Sequence, residues 1–126
     1  MSDLRTPLSR VKGLGSAKDG THHFWHQRLT ALLLIPLVLW VGFSLAALPV
    51  AHGTLVGWIQ QPFVTVGLVL LVVVTFYHAQ LGLQVVIEDY VSNHSSRTVT
   101  LLISNLLCLL FGTVGVVSVL KISFGA

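Results

Sequence analysis

Acidic residues are scarce in this 126-residue chain: Asp3, Asp19, Glu88 and Asp89 stand against seven Lys and Arg. No charged side chain other than histidine occurs between Arg28 and Glu88, or between Arg97 and Lys121. A chain built this way has too little polar surface to coat a soluble globule, so a lipid bilayer is its expected solvent. The single cysteine, Cys108, excludes a disulfide framework and a paired-cysteine metal site within the chain, and reads as a small buried apolar side chain. No internal repeat or low-complexity tract is present. With charge so sparse, the net +3 is a topology signal and gives little support to nucleic-acid binding.

About 20 apolar residues already cross the hydrocarbon core, so the first uncharged stretch must be divided. Pro49, His52 and Gly53, then Gln60, Gln61 and Pro62, supply the punctuation. Three membrane helices are predicted, over 29–48, 63–88 and 98–120, forming an all-α domain over 24–126 behind a polar tail, 1–23. A connection of roughly a dozen residues after the first helix and a short one after the second favour antiparallel neighbours, up, down, up. Arg5, Arg10, Lys12, Lys18 and Arg28 precede or open the first helix, and Arg97 lies in the second loop. The excess of basic residues puts the N-terminus and second loop in the cytoplasm. Ser44-Leu45-Ala46 has the look of a signal-peptidase site, but the leader and apolar run are both too long for an ordinary signal peptide, so the segment is expected to stay. Trp25, Trp58 and Tyr90 fall near predicted helix ends, as belt aromatics do. Pro36 is expected to kink the first helix. Gln80, Gln84, Ser104 and Asn105 read as polar contacts between helices.

The stretch HAQLGLQVVIEDY, residues 78–90, departs from this oily background. Entering at Phe63, the second helix carries His78 about 22 Å inward, past the midplane of a core about 30 Å thick. Gly82, Val85 and Asp89 lie within about 40° of its direction on a helical wheel. One stripe thus carries an imidazole, a bare backbone, a branched apolar group and a carboxylate. An imidazole there can ligate haem iron, and a glycine one turn away leaves room for a flat macrocycle. Equally, the histidine can hydrogen-bond a neighbouring helix while the glycine permits close packing. If the helix ends align, Arg28, Asp89 and Tyr90 share one interfacial pocket, a cation, a carboxylate and a phenol suited to a haem propionate or a quinone carbonyl. Their plainer reading is as interfacial anchors and belt.

Together, His78-x3-Gly82-x6-Asp89-Tyr90 and the Arg28-x-Thr30 segment resemble the hydrophobic membrane anchor of succinate dehydrogenase, respiratory complex II. The likeness runs from about Phe24 to Leu120. It implies a non-catalytic subunit as far as succinate oxidation is concerned, in the electron-transport chain and tricarboxylic acid cycle, multi-pass in the bacterial inner membrane. By resemblance His78 is an axial ligand of haem b, Tyr90 hydrogen-bonds ubiquinone with Asp89 beside it, and Arg28 lies near the haem propionates. Only one intramembrane histidine is present, so the second ligand is expected from a companion membrane anchor chain. FAD and iron-sulfur clusters belong on the flavoprotein and iron-sulfur subunits. His22, His23, His26 and His94 are expected as solvated or packing side chains on the cytoplasmic side, or as contacts to the iron-sulfur subunit or a propionate. The alternatives are the anchor of a quinol:fumarate reductase and a small structural membrane protein.

Overall fold

The computed structural model describes residues 6–8 and 18–125. Arg5, Arg10 and Lys12, three of the cations behind the topology reading, lie outside the described residues. Four helices follow in order: α1 (Lys18–Ala47), α2 (His52–Ile59), α3 (Pro62–Tyr90) and α4 (His94–Ser123). The helices α1, α3 and α4 are each long and apolar enough to cross a membrane.

Their ends differ from the sequence expectation for local reasons. α1 begins at Lys18, well before residue 29, and continues into the stretch assigned to the tail. Nothing in 18–28 breaks a helix except Gly20, so hydrogen bonding runs on past the end of the apolar pattern. At 30 residues it is about 45 Å long, longer than the hydrocarbon core is thick. Pro36 sits in its interior and leaves the Leu32 carbonyl without its usual amide donor, yet the helix is continuous. α3 starts on Pro62, where a missing N–H costs nothing, and retains Asp89 and Tyr90 in its final turn. α4 starts at His94 because the Asn93 side chain accepts from the amides of Ser95 at 3.0 Å and Ser96 at 3.5 Å. The sequence pattern gave no sign of α2, which occupies part of the segment expected to be a loop.

α3 is the middle of the array. Among the described residues α1 and α4 each pack on α3 and not on each other. Both seams are antiparallel: Thr30 meets His78 and Trp40 meets Gly67, while Thr65 meets Ser123, Val72 meets Gly115 and Phe76 meets Gly112. Small residues set the second seam, since a Cβ on Gly115 would lie 2.9 Å from Val72 and one on Gly112 3.4 Å from Phe76. Gln80 donates to Asn105 across the same seam at 3.2 Å, as expected. Gln84 instead donates to Glu88 one turn along its own helix, and the buried Ser104 hydroxyl has no partner. Among the described residues the buried apolar ones, Val64, Val74, Leu81 and Ile87, all lie on α3. Three helices side by side, rather than around a shared axis, leave most apolar surface to be covered by lipid or by another chain.

Candidate functional site

Where α1 crosses the C-terminal half of α3, the contact is polar. Thr30, only 6% exposed, puts its hydroxyl oxygen 2.9 Å from His78 Nδ1. The same oxygen lies 2.7 Å from the His26 carbonyl and 3.0 Å from the Gln27 carbonyl. One turn earlier on α1, His26 Nδ1 and the Tyr77 hydroxyl share a hydrogen bond of 2.6 Å. Two adjacent residues of α3 are therefore each tied to α1 by a side-chain pair. His78 Nε2, by contrast, has no hydrogen-bond partner among the described residues.

Gly82, one turn along from His78, has nothing within 4 Å of the position a Cβ would occupy. An imidazole with one nitrogen held and the other free, beside an open glycine, fits the edge of a haem pocket. Free Nε2 supplies a nitrogen donor, and bare backbone supplies the space. No cluster of three or more His, Cys, Asp or Glu that could hold a metal ion occurs among the described residues.

The register of α1 on α3 separates the residues expected to share a pocket. With Thr30 opposite His78 and Trp40 opposite Gly67, Arg28 stands near the depth of His78, whereas Asp89 stands level with the first turn of α1. His78 and Asp89 are themselves about 16 Å apart along α3. The helix ends do not align at Arg28, because α1 runs more than two turns beyond it toward the N-terminus. Arg28 also lies on the opposite side of α1 from the stripe of His26 and Thr30, with its guanidinium 5.0 Å over the Phe24 ring. Among the described residues no ion pair or hydrogen bond joins Arg28, Asp89 and Tyr90. Asp89 and Tyr90 are exposed at the end of α3, Tyr90 by 85%. Of the sequence candidates, His78 and Gly82 come together on one face, and Asp89 and Tyr90 form a second, separate station.

In the sequence Thr30 stands within a motif but has no evident role, and His26 shows no sign of its partner. Their spacing of four on α1 was the available signal, since i and i+4 share a face. Trp25 lies inside α1 rather than near its end, while Tyr90 closes α3. His23 Nε2 is buried and unpartnered. A cleft of about 510 Å³ lies between α3 and α4, lined in part by Val73, Phe76, Gln80, Asn105 and Thr113. None of His78, Asp89, Tyr90 or Arg28 borders it.

Residues 2–114 match the family described as succinate dehydrogenase/fumarate reductase transmembrane subunit. A succinate dehydrogenase hydrophobic membrane anchor subunit of Rickettsia conorii is 37% identical over 109 residues, covering 85% of this chain and 86% of that protein. The same-named protein of Rickettsia bellii is 38% identical over 103 residues, 81% and 82% of the two chains. That of Paracoccus denitrificans is 31% identical over 86 residues, 68% and 67% of the two. The family match takes in α1, α3 and most of α4, including the Thr30–His78 contact and the end of α3. The chain belongs to the succinate dehydrogenase/fumarate reductase transmembrane subunits, among their hydrophobic membrane anchor subunits.

Proposed function

We propose that this chain anchors a succinate:ubiquinone oxidoreductase in the bacterial inner membrane, N-terminus in the cytoplasm, and supplies half of a haem b cage together with part of a ubiquinone site. The observation that carries the reading is His78, gripped through Nδ1 by a buried threonine, with Nε2 unpartnered and Gly82 open beside it. Haem b, once bound, would supply a one-electron carrier at this depth. His78 would hold the iron as one axial ligand. Gly82 would admit the ring edge. Arg28, two residues from Thr30, is the cation proposed for a propionate; to reach one, its side chain would swing off Phe24.

At the other station Tyr90 would donate its hydroxyl to a ubiquinone carbonyl, and Asp89 would orient that donor. Both are exposed at the end of α3, where a companion chain or a docked soluble subunit would complete the pocket. The open array leaves room for a companion membrane anchor chain, which would bring the second axial ligand. Succinate oxidation, FAD and the iron-sulfur clusters would reside on the flavoprotein and iron-sulfur subunits. The names of the relatives favour succinate dehydrogenase over a quinol:fumarate reductase.

Purification of the complex through a tag on this chain tests the reading. The flavoprotein, the iron-sulfur subunit, a second anchor chain and a low-spin b-type difference spectrum should copurify. If this chain, expressed alone as a monomer, held stoichiometric six-coordinate haem, the shared cage would be wrong.

A further inference from the structure

Thr30 and Thr65 are the buried polar residues of the described structure, and Thr30 is the one that touches the histidine. Its hydroxyl has one hydrogen to give and three neighbours within 3.0 Å: the His26 carbonyl, the Gln27 carbonyl and His78 Nδ1. The two carbonyls can only accept. Were the hydrogen directed at Nδ1, the hydroxyl oxygen would face two carbonyl oxygens, the nearer at 2.7 Å, with no proton between them. Lone pairs opposed at that distance repel, and burial leaves no water to relieve them. Directed at the His26 carbonyl and shared with that of Gln27, the hydrogen removes both repulsions. The oxygen lone pair then faces Nδ1, which must carry the hydrogen of this contact.

We infer that Thr30 is a positioning residue that holds His78 in the Nδ1–H tautomer, fixing the ring and leaving the Nε2 lone pair for a metal. The inference rests on the haem reading for its purpose but not for its geometry, because the donor assignment follows from the three distances together with the burial of Thr30. Back-bonding of the hydroxyl to the preceding turn is what makes it an acceptor toward the neighbouring helix. With a metal held on Nε2, the Nδ1–H···Oγ1 bond would raise the electron-donating power of the His78 imidazole and so would favour the more oxidised metal.

Two measurements separate this inference from the reading it serves. The full chain, labelled with 15N-histidine and placed in lipid bilayers without haem, should give a His78 signal with a protonated Nδ1 and an unprotonated Nε2. The signal is assigned by its loss in His78→Gln. Thr30→Val, similar in volume but without the hydroxyl, should release the ring to the other tautomer, and Thr30→Ser should restore it. A wild-type His78 protonated on Nε2 overturns the inference with no variant needed. In the purified complex, Thr30→Val should raise the haem midpoint potential, shift the low-spin electron paramagnetic resonance g values and reduce haem retained through chromatography about tenfold, with Thr30→Ser close to wild type. Wild-type potential and g values in Thr30→Val would reduce Thr30 to packing. Absence of low-spin haem from the wild-type complex would instead sink the haem reading and leave the tautomer result standing.

Discussion

Gly67 and Gly82 lie on the same side of α3, about 60° apart on a helical wheel, and their surroundings are opposite. A Cβ on Gly67 would come within 2.7 Å of the Trp40 ring, which in turn packs at a 38° tilt against Trp58 of α2 with centroids 5.8 Å apart. A Cβ on Gly82 would meet nothing within 4 Å among the described residues. One end of the α1–α3 seam is closed by an indole lying on bare backbone, and the other is held by two polar pairs, Thr30–His78 and His26–Tyr77. The same residue type serves close packing at the first site and open space at the second. Dispersion contacts hold the closed end; the open end keeps a nitrogen and a volume available.

Filling the two glycines should break the comparison most visibly. A Cβ at Gly82 meets nothing within 4 Å, so the complex carrying Gly82→Phe should assemble, but the ring would occupy the space beside His78 and haem should be lost almost completely. Haem content per flavin in the purified complex checks it, and normal haem in an assembled Gly82→Phe complex would mean that the open side is not the haem side. Gly67→Leu should act in the reverse sense. Overpacking against Trp40 should destabilise by about 1–3 kcal/mol, lowering the midpoint of thermal unfolding in detergent while the spectrum of the haem that remains is unchanged. A spectral change without destabilisation would mean that the two ends of the seam are not independent.

Smaller effects are expected at the separate stations. Tyr90→Phe keeps the ring and loses a donor worth about 0.5–1.5 kcal/mol, so quinone turnover should fall roughly two- to tenfold with an unaltered haem spectrum. Normal quinone kinetics would remove Tyr90 from the pocket. Arg28→Leu should be smallest. Because Arg28 stands near the depth of His78 and away from Asp89, its loss should lower the haem potential slightly, as expected when a nearby cation that opposes oxidation is removed, and leave the Michaelis constant for quinone alone. A change in quinone affinity with no change in potential would return Arg28 to the Asp89–Tyr90 end.

The three long helices were legible in the sequence because uncharged apolar runs of that length suit a bilayer and little else. Their ends were not, because hydropathy marks where a membrane would stop and hydrogen bonding decides where a helix stops. Residues 18–28 are polar yet helix-compatible, and treating residue 29 as the start of α1 put Arg28 level with Asp89. α2 escaped because eight residues with two glycines, shortly after one proline and before another, resemble a loop until Trp58 is seen against Trp40. His78 was legible as a polar residue at an apolar depth. Its partner was not, because the register that brings Thr30 to it depends on how α1 settles on Gly67, a fact of packing between helices rather than of either helix alone.

The most direct test is the reduced-minus-oxidised spectrum of the complex carrying His78→Ala, prepared beside wild type, with flavoprotein activity toward an artificial acceptor as the control for assembly. Loss of the bis-histidine low-spin signal from a complex that still assembles is the predicted result. A wild-type haem spectrum in the assembled His78→Ala complex would contradict the account at its centre.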